Sequence, residues 1–166
     1  MNIILIGFMG TGKSSVAPLL AGKLGLDVIE MDDLIIKKAD GKNIEEIFAG
    51  GGEAAFRELE LAVAKDLRDC DNAVISTGGG VVMNKSIMEY LANNSLIVEL
   101  SASFDTVLDR ISPAMPRPLF QDAEQAKKLY QLRKPLYNKY APVHVVTDNK
   151  SVDEVVKEII SKVPNP

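Results

Sequence analysis

The 166-residue sequence contains no tryptophan, one cysteine and one histidine. With Cys70 alone, no intrachain disulfide can form and no cysteine cluster can hold zinc, so stability must come from burying apolar surface in a reducing, cytoplasmic setting. Cys70 itself reads as a small side chain at a helix end. His144 has no partner that its spacing suggests and reads as structural. Long apolar runs are missing too. Residues 3–6 are Ile-Ile-Leu-Ile, but no basic segment leads them, and Gly7 stops them far short of a secretory or membrane-spanning length. Positive charge is in deficit, at a formal −4. The bulk charge therefore offers nothing to nucleic acid or an anionic membrane, and any bound anion must be held by local positive groups.

What is present suits one domain spanning 1–166. The chain is 46% apolar and 25% charged, with no repeat and no linker rich in Pro, Gly and Ser. Short β-branched runs at 3–6, 28–30, 73–76, 96–100 and 143–147 alternate with helical patterns. This predicts an α/β fold with a mostly buried parallel sheet and helices on both faces. One helix is expected over 53–68, with Phe56, Leu59, Val63 and Leu67 in a stripe and Arg57 and Glu60 beside it. Another is expected near 152–160, opened by a capping box of Ser151 and Glu154. Gly50-Gly51-Gly52 reads as a loop before the first of these helices. A second loop, 112–122, holds Pro113, Pro116 and Pro118 around Arg117 and is placed to close over a nucleotide. Pro18 falls inside a predicted helix and should kink it.

Gly7-Phe8-Met9-Gly10-Thr11-Gly12-Lys13-Ser14 fits the pattern G-x-x-x-x-G-K-S/T between a predicted strand and a predicted helix. Such a loop wraps phosphate oxygens in backbone N–H groups, which side chains at the tight positions would obstruct, and the helix behind it adds its positive end. Lys13 would reach the outer phosphates and the Ser14 hydroxyl would bind Mg²⁺. A chance match in a chain this long is on the order of one per cent or less.

A phosphate loop serves switches and motors as well as kinases, so the second substrate must be read elsewhere. Glu30-Met31-Asp32-Asp33 follows the second strand at the carboxyl edge of the sheet, where ligands bind in open α/β folds. A carboxylate there can orient or deprotonate a hydroxyl, or hold magnesium through water. Thr77-Gly78-Gly79-Gly80 offers backbone N–H groups without steric obstruction. Phe48 and Phe56 supply an apolar wall. Arg57 is shaped for a bidentate grip on a carboxylate, with a solvated pair to Glu60 or Glu53 as the alternative.

Together these stretches resemble the shikimate kinase family. The resemblance rests on Gly7 through Ser15, on Gly52-Glu53-Ala54-Ala55-Phe56-Arg57-Glu58-Leu59-Glu60, on Thr77-Gly78-Gly79-Gly80, on Arg117-Pro118-Leu119 and on Arg133-Lys134-Pro135-Leu136-Tyr137. It implies a three-layer αβα P-loop NTPase-like fold, akin to the nucleoside-monophosphate kinases, with a five-stranded parallel sheet. It further implies a cytoplasmic monomer that uses ATP, Mg²⁺ and shikimate and phosphorylates the 3-hydroxyl, with an acceptor segment near 32–60 and a lid near 112–124. Gly10, Thr11, Gly12, Lys13, Ser14, Ser15 and Arg110 would hold the nucleotide, with Arg110 against adenine. Arg57 and Arg133 would grip the acceptor carboxylate, and Gly78, Gly79 and Gly80 would line its hydroxyls. Arg117 would join Lys13 on the transferring phosphoryl group.

The family's acidic pair fits in two registers. Counted without a gap from Gly41, it falls on Met31 and Asp33. With one residue inserted before Gly41 it falls on Glu30 and Asp32, which keeps an acid at both positions and leaves Glu30 or Asp32 on the magnesium side through water. Other readings are a kinase for a different small hydroxy acid and a nucleotide-binding regulatory module that has lost catalysis.

Overall fold

A computed structural model describes residues 1–111 and 122–164 of the chain. Five parallel strands form one sheet in the order β2-β3-β1-β4-β5, with β1 at Asn2–Ile6, β2 at Asp27–Glu30, β3 at Ala73–Ser76, β4 at Ser95–Ser101 and β5 at Val143–Val146. The apolar run at the start of the chain is thus the central strand, and it is buried throughout. Alternation along it feeds two cores. Ile4 and Ile6 join Val63, Ile87 and Tyr137 on one face, while Ile3 and Leu5 join Val16, Leu20, Val156 and Ile159 on the other.

The first face is covered by α3 (Ile44–Leu67), α4 (Lys85–Leu91) and α6 (Ala123–Tyr140), the second by α1 (Lys13–Leu24) and α7 (Val152–Lys162). α2 (Met31–Lys38) and α5 (Phe104–Arg110) follow β2 and β4. The sheet is less buried than expected at its edges, where Val28 and Val146 are 42% and 50% exposed. No helix among the described residues is long and apolar enough to cross a membrane. Cys70 is half-buried just beyond α3, and Ser151 with Glu154 forms the expected capping box of α7.

One local expectation is corrected. Gly50-Gly51-Gly52 is not a loop: α3 begins at Ile44 behind an Asn43–Glu46 capping box, Gly50 and Gly51 are helical, and only Gly52 breaks it, at φ 69° and ψ −169°. The turn before it carries Ile47 and Phe48 into the core, and that packing outweighs glycine's weak helix propensity. Pro18 sits within an unbroken α1. It lies on the exposed side, where water can take the carbonyl that its missing N–H leaves.

Candidate active site

Strand ends supply each part of the site. After β1 the chain turns through Gly7, Gly10 and Gly12, all at positive φ (148°, 78° and 100°). A Cβ on Gly7 would stand 2.2 Å from the Leu100 carbonyl oxygen, so only glycine fits there. Thr11 Oγ1 donates to the Phe8 carbonyl at 2.7 Å and closes the loop on itself. Lys13 opens α1 and is nearly buried, with Nζ donating to the carbonyls of Gly7 at 2.7 Å and Phe8 at 3.0 Å. Its ammonium therefore lies along the inside of the loop rather than in solvent.

Beside it, Ser14 Oγ donates to Glu30 Oε2 at 3.2 Å. Burial raises the Glu30 carboxyl above its ordinary range, and hydrogen bonds from Ser76 and Ser14 offset this in part. Its other oxygen is buried without a well-formed hydrogen bond among the described residues. A hydroxyl and an under-satisfied carboxylate at the mouth of a phosphate loop fit a magnesium ion that keeps most of its waters. No three acidic, His or Cys side chains among the described residues are placed to hold a metal ion together, so a cage made of protein alone is not built there.

The loop opens on a cleft of about 500 Å³, within the usual range for a small-molecule site. Glu30 and Asp32 line it from the end of β2, Thr77, Gly78 and Gly79 from β3, and Thr147 and Lys150 from β5. Arg110 closes one side. Its guanidinium donates to the Gly10 carbonyl at 3.2 Å and to Thr147 Oγ1 and carbonyl at 2.9 and 2.8 Å, bracing the phosphate loop against β5.

The acceptor residues converge on the triple glycine. Thr77 ties the loop to β1 through its N–H and hydroxyl, both on the Leu5 carbonyl. None of Gly78, Gly79 and Gly80 has positive φ. What they provide is close approach. A Cβ on Gly80 would lie 2.5 Å from both terminal nitrogens of Arg57; on Gly79, 3.4 Å from Arg133 Nη1; on Gly78, 3.2 Å from Glu60 Oε1 and 3.6 Å from Asp32 Oδ1. Two guanidiniums and two carboxylates thus face one stretch of bare backbone. Phe48 and Phe56 pack ring to ring at 5.0 Å, with the Arg57 guanidinium carbon 5.2 Å from the Phe56 centroid. Asp32 faces this site from the first turn of α2, whereas its neighbour Asp33 is exposed and does not line the cleft.

A family model for shikimate kinase matches residues 9–164. The chain belongs to the shikimate kinase family. Among curated shikimate kinases, one from Thermodesulfovibrio yellowstonii is 42% identical over 97% of this chain and 94% of its own, and one from a Sulfurihydrogenibium species is 39% identical over 98% and 97%. A solved shikimate kinase from Acinetobacter baumannii, in complex with shikimate, superposes with a TM-score of 0.91 at 30% identity, covering 97% of this chain and 91% of its own. A gluconokinase from Sinorhizobium meliloti, at 20% identity and a TM-score of 0.60, shares the fold alone.

Within this shikimate kinase fold, Arg57 stands between the acceptor loop and two glutamates of its own helix. It lies against the triple glycine, and it pairs with Glu60 at 2.8 Å and Glu53 at 3.3 Å. Glu60, expected beside the apolar stripe of α3, is only 1% exposed. Arg57 offsets part of the cost of a carboxylate at that depth. Nothing in its helical spacing marks it as a site residue. Tyr137 enters the sequence reading only as part of a motif; its signal would be its position one helical turn after Arg133. His144 pairs with buried Glu99 at 2.6 Å across β4 and β5, away from the cleft. Arg117 and the lid near 112–124 fall mainly outside the described residues, which resume at Asp122.

Proposed function

We propose that this chain transfers the γ-phosphate of ATP to the 3-hydroxyl of shikimate, giving ADP and shikimate 3-phosphate. The observation that carries this reading is the convergence of Arg57, Arg133, Asp32 and Glu60 on Gly78, Gly79 and Gly80, beside the phosphate loop. Two guanidiniums near bare peptide N–H groups suit a ring that bears one carboxylate and several hydroxyls.

In this reading Gly10, Thr11, Gly12, Ser14 and Ser15 hold the phosphates through N–H groups at the start of α1, and Arg110 flanks the base. Magnesium, held by Ser14 and by Glu30 through water, would neutralise charge on the outer phosphates. Lys13 leaves the Gly7 and Phe8 carbonyls for phosphate oxygens and, with Arg117, balances charge as the P–O bond to ADP breaks and the bond to the acceptor forms. Arg57 and Arg133 fix the acid end of the ring, so that the 3-hydroxyl meets Asp32, which orients it and takes its proton.

A coupled assay of ADP release tests this directly. Shikimate should support turnover and gluconate should not, and Arg57→Ala should raise the KM for shikimate at least tenfold while that for ATP moves less than threefold. Nucleotide binding without turnover on shikimate would overturn the reading.

A further inference from the structure

The carboxyl end of α6 carries a side chain that the reaction outlined above does not use. Tyr137 is 3% exposed, and its hydroxyl donates to the Gly79 carbonyl at 2.6 Å. Arg133, which sits one turn earlier on the helix and is itself 2% exposed, places its charge beside the same phenol. Both partners belong to the acceptor side of the cleft. A Cβ on Gly79 would come 3.4 Å from Arg133 Nη1 and 3.3 Å from the Met9 nitrogen, so this peptide is wedged between α6 and the phosphate loop.

The chemistry of a peptide unit gives this bond its consequence. No peptide bond among the described residues is cis. In a trans unit the Gly79 carbonyl and the Gly80 N–H lie in one plane and point in opposite directions. Holding the carbonyl therefore sets the direction of the Gly80 N–H, at the residue against which Arg57 rests. Three consecutive glycines have no side chains to hold their own conformation, and glycine is the residue with most freedom to lose. A clamp from outside the loop is what such a segment needs. A tyrosine meets it at modest cost, since a buried phenol loses two rotatable angles and its hydroxyl needs a partner, which the Gly79 carbonyl supplies.

We infer that Tyr137 is a positioning residue for the acceptor: its hydroxyl locks the triple-glycine loop to α6, so that the peptide N–H of Gly80 is presented beside the guanidinium of Arg133. The inference rests on the proposed function for the identity of the acceptor, though not for the clamp itself. It separates two roles that a motif merges, since Arg133 would touch the substrate and Tyr137 would act only through Gly79.

Tyr137→Phe removes one oxygen and keeps the ring that packs in the core. Two measurements on the full chain read its effect. Amide hydrogen exchange over 77–83 without substrate should speed up in the variant, while exchange in β1 stays as it was. Steady-state kinetics should show the KM for shikimate raised about tenfold, equivalent to about 1.4 kcal/mol, with kcat and the KM for ATP within about twofold. Tyr140→Phe, on the same helix but outside the cleft, should change neither reading. Unchanged exchange, or a KM for ATP that rises in step with that for shikimate, would overturn the inference. Faster exchange in a chain whose wild type ignores shikimate would uphold the clamp and reject the acceptor.

Discussion

Asp32 and Asp33 are neighbours on the first turn of α2, yet a helix rotates about 100° per residue, so one carboxylate can face the cleft while the other faces water. Asp32 takes the inward place, with Oδ1 3.6 Å from where a Cβ on Gly78 would be. Asp32→Ala should therefore lower kcat by about two to four orders of magnitude, whereas Asp33→Ala should stay within about threefold; the opposite ranking would move the acceptor contact to Asp33. Spacing alone leaves both registers open, because adjacent acids differ only in helical phase, and that phase depends on where the helix starts. Glu60 is harder still to see. Its carboxyl is raised above the ordinary 4.5 by burial, which the Arg57 charge only partly offsets. The folded chain thus binds that proton more tightly than the unfolded chain does, so this group makes stability fall as pH climbs from its ordinary value through the raised one. Glu60→Gln carries no charge at any pH and should flatten the dependence, as urea melts between about pH 4 and 7 would show.

At the level of elements, α3 separates two glycines that look alike in sequence. Gly50 is helical and exposed, with no atom within 4 Å of where a Cβ would stand, whereas Gly52 holds φ 69° and ψ −169°, a region essentially reserved to glycine. Gly50→Ala should raise stability by about 0.5–1 kcal/mol and Gly52→Ala should lower it by about 1–3 kcal/mol, both readable in chemical melts. The strands are legible because β-branched runs ended by glycine or polar residues have few other uses, and α7 because its apolar spacing and cap agree. The glycine run is not, since three glycines in a row look the same whether packing holds them helical, as in α3, or close approach holds them in place, as after β3. What distinguishes the two cases lies in the neighbours, Phe48 and Ile47 for one and Arg57 and Arg133 for the other.

For the whole molecule, the strand order gathers the site. The phosphate loop, the acid pair, the triple glycine and Thr147 all leave the carboxyl ends of parallel strands, so one edge of one sheet collects residues spread from Gly7 to Lys150. Local patterns predict which segments are strands but not which strands are neighbours, and the placement of β1 between β3 and β4 has no local signal at all. That placement also has a consequence in time. β1 is made before both of its partners: residues 2–6 pair with 73–76 on one side and 95–101 on the other. At a ribosomal rate of about 5–20 residues per second, the Ile-Ile-Leu-Ile run waits on the order of 5 to 20 s for its second partner. Limited proteolysis of stalled nascent chains should find β1 cleavable until β4 has left the exit tunnel and resistant only afterwards. The segment that ends as the most sheltered strand of the fold is, during synthesis, the stretch most in need of a holdase.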